Sequence, residues 1–235
     1  MTDTKLEQKI VKTSLKRYDG NLAAILIFGS YNTGHFVPGK SDIDSIILFK
    51  KDGNLDEEEK INLGNSIRKQ DVPISIIHFK TLKGYEEHIY HKGSWSSWIT
   101  VIRGSKPIYS TEEFENFRKR LMENPIPKEK LEEYLRHKDE FELEGYFKDR
   151  DLWDKTKGLY SHFRRKLQIM NYYFGNNLEF DFDKCLKNFS EIKEKEKLEY
   201  LAGLYKRRES LSKDEAKEYI AMAKKFTNKI IEVLK

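Results

Sequence analysis

An apolar run that ends in a glycine constrains this chain more than any other feature. Residues 22–28 read Leu-Ala-Ala-Ile-Leu-Ile-Phe and are followed at once by Gly29 and Ser30. A continuous apolar run of this length, bounded by glycine, is typical of a strand buried on both faces. Glycine lets the backbone approach a phosphate, and the serine hydroxyl and the following amides can donate to its oxygens. The end of this strand is therefore a candidate phosphate-binding turn.

Two aspartates follow after eleven intervening residues. Asp42 and Asp44 flank Ile43 at the start of a second apolar run, 43–49. In a strand, residues i and i+2 project from the same face, so both carboxylates point to one place. Carboxylates placed together repel each other, and a divalent cation such as Mg²⁺ or Mn²⁺ relieves this, often with substrate phosphates as further ligands. The pattern predicts a metal site with Asp42 and Asp44 as ligands, beside the phosphate-binding turn. Either fragment alone is common in proteins, so the hypothesis depends on their combination and order.

The first half of the chain mixes predicted strands with predicted helices, which is typical of an α/β or α+β domain. A Ser-x-x-Glu capping box at Ser110 and Glu113 predicts the start of the last helix of this half. Hydrophobic periodicity predicts strands at 22–28, 43–49, 72–79 and 107–109, and helices at 4–18, 56–69, 83–91 and 95–102.

The stretch 123–130 contains two of the five prolines and predicts a domain boundary, with domains at 1–122 and 123–235. No strand pattern follows it. The last predicted helix opens with a capping box, Ser212 with Glu215, so the second half is expected to be an all-α helical bundle. Helices are predicted at 131–148, 153–174 and 212–234. The apolar stripe of the last one comprises Ala216, Tyr219, Ala223, Phe226, Ile230 and Leu234.

The composition limits the class of protein and its location in the cell. Of the 235 residues, 35% are charged and 38% are hydrophobic, which is typical of a globular protein with a charged surface. No apolar run reaches the roughly 18 residues of a membrane span, so we expect no membrane association. Residues 1–16 lack the apolar segment of a signal peptide and Cys185 has no cysteine to pair with, which favours the cytoplasm. The net charge of +5, from 44 basic and 39 acidic residues, neither supports nor excludes nucleic-acid binding.

The order of these motifs resembles the signature of the DNA polymerase β-like nucleotidyltransferase superfamily. The residues that carry the resemblance are Phe28, Gly29 and Ser30, then Gly34, then Ser41, Asp42, Ile43 and Asp44. The resemblance implies an α+β fold, with a small mixed β-sheet nucleotidyltransferase domain flanked by helices and followed by the all-α helical bundle. It also implies that Gly29, Ser30 and Ser41 bind the nucleotide and that Asp42 and Asp44 hold divalent metal.

The reaction implied by the resemblance is attack of an acceptor hydroxyl on the α-phosphate of a nucleoside triphosphate, with release of pyrophosphate. The helical second half resembles the kanamycin nucleotidyltransferase-like branch, in which the acceptor lies between the two halves. We therefore expect transfer of a nucleoside monophosphate, AMP from ATP, to a small-molecule hydroxyl. Within the same class, the acceptor could instead be a protein or an RNA end.

One position departs from the family pattern. Where the next strand usually carries a third carboxylate after a proline, this chain has Ser75 in the stretch 73–77. Asp71 lies four residues earlier, and strict strand alternation would place His78 on the face opposite Ser75, so neither is a natural substitute. The serine favours the alternative that the protein is a nucleotide-binding regulator, like an antitoxin, that has lost transfer activity.

Several further side chains, in both halves, have no assigned role. Aromatic pairs could stack on a base or a sugar, although core packing is the simpler expectation for each. No histidine follows an arginine at the spacing of related helical-bundle ribonucleases, so that activity is not supported. The aromatic side chains are Trp95, Trp98, Tyr172 and Tyr173. An acidic side chain could act as the general base that takes the proton of the acceptor hydroxyl, and the candidates are Glu140, Glu142, Glu144, Asp149 and Asp151. Two basic clusters, 164–166 and 206–208, could pair with phosphates.

Overall fold

The computed structural model of the chain describes residues 4–34, 36–39, 41–53, 55–133, 150–175, 177–188 and 194–233, with side chains of the last helix described up to Phe226. The chain divides into two compact units, Met1–Pro125 and Ile126–Lys235. The first contains a mixed sheet flanked by helices, and the second is helical over the residues described. The α+β fold predicted from the sequence is confirmed.

A four-stranded sheet forms the centre of the first unit, with strand order β3-β2-β1-β4. β1 (Leu22–Phe28) is antiparallel to both β2 (Ile43–Phe49) and β4 (Lys106–Ser110), whereas β3 (Ile74–Thr81) runs parallel to β2. Because β1 lies inside the sheet and is covered on both faces, its residues 22–27 are all buried. The predicted bounds of β1 and β2 are confirmed.

Helices cover both faces of this sheet. On one face, Ile10 of α1 and Leu63 and Ile67 of α3 pack with Ile25 and Ile47 of the strands. Burial of each such side chain contributes about 1.5–3 kcal/mol, which fixes the register of the strands. The helices of the first unit are α1 (Thr4–Tyr18), α2 (Gly29–Asn32), α3 (Glu57–Arg68), α4 (Leu82–His91), α5 (Trp95–Ile99) and α6 (Glu112–Glu123).

The third strand begins and ends two residues later than predicted. Pro73 has no N–H, and its carbonyl accepts the N–H of Ile43 at 2.6 Å, so the chain before Ile74 makes a turn that includes Asp71 at φ +60°. At the other end the ladder continues to Thr81, whose hydroxyl then accepts the N–H of Gly84 and caps α4.

Two further local predictions were wrong. Ser110 does not cap a helix, because it pairs with Ala24 as the last residue of β4; the N-cap of α6 is Thr111. The helix predicted at 95–102 is not a single α-helix, since α5 ends at Ile99 and a π-helical turn, Thr100–Gly104, follows. π-Helical turns are rare and are found disproportionately at functional sites.

The second unit is built around one long helix. It contains α7 (Leu152–Gly175), α8 (Phe182–Lys187), α9 (Lys195–Arg207) and α10 (Lys213–Val233). Side-chain amides tie α7 to its neighbours: Gln168 donates to the carbonyl of Phe180 at 2.7 Å, and Asn171 donates to the carbonyl of Cys185 at 3.3 Å. These bonds satisfy amides that would be costly to bury unpaired.

Helix predictions for this unit succeeded in part. α7 is confirmed, and so is the capping box of α10, in which Ser212 and Glu215 exchange hydrogen bonds. The stripe of α10 is buried at Ala216, Tyr219, Ala223 and Phe226, whereas the side chains of Ile230 and Leu234 lie outside the described residues. Of the helix predicted at 131–148, residues 131–133 are helical and 134–148 are outside the described part. α8 and α9 were not predicted.

Across the described residues, none of the helices has the length and apolar character needed to span a bilayer.

Candidate active site

The glycine of the candidate phosphate-binding turn, formed by Gly29 and Ser30, lies against the second aspartate. Gly29 directly follows β1 and has φ +69°, a left-handed conformation that side chains disfavour. A Cβ atom added at Gly29 would lie 2.4 Å from Oδ2 of Asp44, far inside van der Waals contact. Only glycine lets the backbone of the turn and the carboxylate approach this closely. The structure therefore brings together Gly29 and Asp44, two residues that the sequence singled out separately.

Strand pairing explains why these groups meet. Phe28 pairs with Asp44 across β1 and β2, and Asp44 pairs with Ser75 across β2 and β3. Side chains of paired residues lie on the same face of a sheet, so Asp44 and Ser75 are direct neighbours. Asp44 is half-buried, whereas Asp42 immediately precedes β2 and is exposed. The position expected to hold a third carboxylate is thus beside Asp44, and it carries a hydroxyl.

The carboxylates of Asp42 and Asp44 suit a hard divalent cation, provided that the substrate supplies further ligands. Mg²⁺ commonly takes one or two carboxylates and completes its shell with water and phosphate oxygens. Asp42 and Asp44 offer carboxylates at adjoining positions, and no group of three or more His, Cys, Asp or Glu residues that could hold a metal occurs among the described residues. The residues present therefore fit a metal held by two carboxylates together with a nucleotide, and not a metal caged by protein alone.

Ser41 stabilises the loop that connects the Gly29–Ser30 turn to β2. Its hydroxyl accepts the N–H of Val37 at 3.0 Å, and its own N–H donates to the carbonyl of Val37 at 2.9 Å. Ser41 is only 7% exposed. The hydroxyl of this predicted nucleotide-binding residue is thus used to shape the loop that leads into Asp42.

A β-bulge changes the predicted position of His78. The pairing of β2 with β3 shifts after Ser45, so Ile46 lies opposite His78 and Ile77 is left over. Because Ile46 and Asp44 are two residues apart, His78 shares the face of Asp44 and Ser75. The prediction that His78 points to the opposite face from Ser75 was wrong, because alternation breaks at the bulge.

His78 nevertheless belongs to a different cluster from the aspartates. Its ring centroid lies 5.1 Å from that of Tyr85 and 5.0 Å from that of His88, both on α4. Burial, together with the positive charges of His88, Lys80 and Lys60, lowers the pKa of His78 to about 4. The imidazole is therefore neutral near pH 7 and packs against α4.

The π-helical turn also adjoins the site, which the sequence did not indicate. Asn32, in the short helix that follows Gly29, donates from Nδ2 to the carbonyl of Gly104 at 3.2 Å. From the other side, Arg118 of α6 donates to the carbonyl of Ile102 at 2.5 Å. A regular amphipathic pattern at 95–102 concealed this turn, since periodicity does not distinguish an α-helix from one that widens over its last residues.

Most of the other side chains singled out in the sequence have structural contacts. Trp95 and Trp98 are fully buried, as core packing predicts. Tyr173 donates its hydroxyl to Glu132 at 2.5 Å. Asp151 accepts the N–H of Asp154 at 2.7 Å and caps the start of α7, whereas the other candidate bases, Glu140, Glu142, Glu144 and Asp149, lie outside the described residues.

The two basic clusters differ from each other, because the first is partly buried whereas Lys206 and Arg207 of the second are exposed. Lys166 is 3% exposed, and burial lowers its pKa to about 7. Arg164 lies over the ring of Tyr160, 5.9 Å from its centroid. Lys206 and Arg207 form ion pairs with acidic residues of the same unit, Asp183 and Glu209 respectively.

Comparison with known proteins gives a family match and several similar structures. The sequence model of a family described as "Nucleotidyltransferase domain" matches residues 8–144. Among solved structures, the chain is similar to spectinomycin adenyltransferase AAD(9) from Enterococcus faecialis with ATP and spectinomycin. That likeness has a TM-score of 0.59 and 14% identity, and covers 96% of this chain and 99% of the other.

Two toxin–antitoxin structures are similar over about half of the chain. A toxin–antitoxin with AMP-PNP has a TM-score of 0.37 and 24% identity, and covers 50% of this chain and 84% of the other. The tri-AMPylated Shewanella oneidensis HEPN toxin in complex with MNT antitoxin has a TM-score of 0.35 and 20% identity, with 51% and 83% covered. Comparison with curated proteins gave no match.

Because the family match spans more than half of the chain, this protein belongs to the nucleotidyltransferase domain family. The predicted superfamily and the prediction of a nucleotidyltransferase are confirmed. The spectinomycin enzyme shares the fold over nearly the full length of both chains.

Proposed function

We propose that this protein transfers a nucleoside monophosphate, AMP from ATP, to a hydroxyl group of a small-molecule acceptor, with Mg²⁺ or Mn²⁺ as cofactor. Pyrophosphate is the second product. Residues 1–122 would form the catalytic domain, and residues 123–235 would bind the acceptor.

The observation that carries the proposal is the approach of Gly29 to Asp44. A carboxylate packed 2.4 Å from where a Cβ of residue 29 would stand leaves no space for any other side chain. A phosphate bound by the turn would therefore lie beside the carboxylate, where Asp44 would hold a divalent cation.

Each residue has a defined part in this reaction. Gly29 and Ser30 bind the phosphates through the backbone and the serine hydroxyl, and Asp42 and Asp44 hold the metal. The bound divalent ion supplies positive charge to the triphosphate oxygens. Ser41 keeps the loop before Asp42 in place through its bond to Val37. The chain thus positions the triphosphate so that an acceptor oxygen can attack the α-phosphorus in line with the departing pyrophosphate.

A small-molecule acceptor is supported by the fold of the whole chain. The likeness to an adenyltransferase crystallised with ATP and spectinomycin extends through the helical unit as well as the sheet. A sequence identity of 14% supports a shared fold but not a shared acceptor, so we do not propose spectinomycin as the acceptor of this protein.

A second candidate is a nucleotide-binding regulator without transfer activity. Ser75 favours it, because this hydroxyl lies directly beside Asp44 where a third carboxylate is expected. A hydroxyl cannot bridge a second divalent cation as a carboxylate does. A transferase that acts on a protein or an RNA end is a variant of the first candidate.

Transfer of label tests these alternatives. We would incubate the full chain with ATP labelled at the α-phosphate and with Mg²⁺ or Mn²⁺, across small hydroxyl compounds, RNA and protein. The variant is Asp42→Ala and its matched control is Asp52→Ala, an exposed aspartate beyond the other end of β2. We expect transfer to a small hydroxyl compound that Asp42→Ala abolishes and Asp52→Ala retains.

Other outcomes separate the candidates. Transfer that survives Asp42→Ala contradicts the metal site. A metal-dependent rise in melting temperature with ATP, without transfer to any acceptor, supports the regulator.

A further inference from the structure

The π-helical turn Thr100–Gly104 lies next to the phosphate-binding turn. The antiparallel pairing of β1 with β4 ends with Ile27 opposite Lys106. Beyond this pair both chains leave the ladder, one into α2 and the other into the π-helical turn. A hydrogen bond of 3.2 Å from Asn32 to the carbonyl of Gly104 shows that these two segments lie against each other.

This turn is anchored on both sides and presents one exposed residue. Asn32 holds it from the phosphate-binding turn, and Arg118 holds it from α6 through the carbonyl of Ile102. Val101, Ile102 and Gly104 are buried, whereas Arg103 is exposed. Arg103 is therefore an exposed arginine on an anchored backbone, one residue away from the carbonyl that Asn32 of α2 holds.

The negative charge of a bound nucleotide would explain an arginine at position 103. A bound triphosphate carries several negative charges, and sites with three carboxylates offset them with two divalent cations. Ser75 removes one of those carboxylates, which reduces the positive charge that metal can bring. Arginine is always charged and its planar group matches phosphate oxygens, which suits it to supply the missing charge.

We infer that Arg103 binds the β- and γ-phosphates of the nucleotide held at Gly29 and Ser30, and that its charge takes the place of the second metal ion that a carboxylate at position 75 would help to hold. This inference rests on the proposed function, since it assigns a further residue to the same nucleotide site. Its purely structural alternative is a basic residue near the end of a helical segment, attracted by the last carbonyls.

Nucleotide selectivity distinguishes the two roles. We would measure dissociation constants of ATP, ADP and AMP with Mg²⁺ by calorimetry for the full chain, for Arg103→Ala and for Arg103→Lys. The control is Arg120→Ala, another exposed arginine of the first unit, which is paired with Glu86 on α4. The melting temperature of each variant without ligand shows whether it is folded.

We expect Arg103→Ala to weaken ATP binding about 10- to 100-fold and AMP binding less than about twofold. Arg103→Lys should be intermediate, and Arg120→Ala should match the unsubstituted chain. The inference is overturned if Arg103→Ala binds ATP normally, or if it loses ATP and AMP equally. If the unsubstituted chain binds no ATP with Mg²⁺, the proposed function fails as well, so the two failures are distinguishable.

Discussion

The starts of β2 and β3 lie side by side in parallel register but carry different side chains at paired positions. On β2, Asp44 is packed against the backbone of Gly29, and the site depends on that contact. On β3, Ser75 stands beside Asp44 and is half-buried without a charge. One strand start has the features of a metal-binding position and its neighbour does not. We therefore expect a site that holds metal asymmetrically, through β2 alone.

The largest effect is expected at Asp44. Asp44→Asn keeps the shape of the side chain and removes its charge, so nucleotidyl transfer should fall by at least about 100-fold. Asp52→Asn, at an exposed position past the other end of β2, is the matched control and should leave transfer unchanged. Steady-state rates with saturating acceptor measure both. Equal rates for Asp44→Asn and the control would show that β2 does not bind the metal.

Substitution of Gly29 tests the contact itself. Gly29→Ala forces an L-residue to φ +69°, which costs about 1–2 kcal/mol, and pushes a methyl group into Asp44, which adds about 1–3 kcal/mol. Gly34→Ala is the control, because Gly34 has φ +78° and nothing within 4 Å of the added Cβ. The difference between the two free energies of unfolding, from urea titrations, isolates the overlap with Asp44. No difference would mean that Asp44 moves aside at no cost.

Restoring a carboxylate on β3 would remove the asymmetry. Ser75→Asp should destabilise the metal-free chain by about 1 kcal/mol relative to Ser75→Asn, because two carboxylates then face each other across paired strands. With Mn²⁺ and ATP bound, Ser75→Asp should become the more stable of the two variants, and its rate of nucleotidyl transfer should be about 10-fold higher than that of the unsubstituted chain. Thermal unfolding with and without the ligands, together with transfer rates, measures this. Equal behaviour of the two variants would mean that position 75 does not face the metal.

The smallest effect concerns His78, which shares the face of Ser75. Since the folded pKa of about 4 lies below the unfolded value of about 6.5, the unfolded chain binds the proton first. Stability is therefore full above pH 6.5 and declines as the pH falls towards 4. His78→Gln should remove part of this decline and leave metal-dependent ATP binding unchanged, whereas His91→Gln, at an exposed position, should alter neither. Loss of ATP binding in His78→Gln would make the histidine the missing ligand.

The parts of the fold that depend on local pattern could be predicted. β1 and β2 are uninterrupted apolar runs with no competing signal, and their bounds agree with the structure. α9 was missed because its buried leucines, Leu198, Leu201 and Leu204, are spread through a stretch rich in lysine and glutamate. The site followed from motif order, so Gly29 and Asp44 could be named before their contact was known.

Features that depend on contacts between separate helices and strands were not predictable from the sequence. The bulge after Ser45 arises from how β2 and β3 align, and it turned His78 to the face of Ser75 against strict alternation. The π-helical turn is held by Asn32 and Arg118, two residues far from it in sequence. Neither contact leaves a periodic signal, so Arg103 could not be connected with the site from the sequence.

Metal binding in the presence of nucleotide tests the central claim most directly. We would titrate Mn²⁺ by electron paramagnetic resonance into the full chain with a non-hydrolysable ATP analogue, and repeat this with Asp44→Asn and Ser75→Asp. We predict a single tightly bound Mn²⁺ ion, lost in Asp44→Asn, and a second ion gained in Ser75→Asp. Tight Mn²⁺ binding that persists in Asp44→Asn would contradict a metal site on β2.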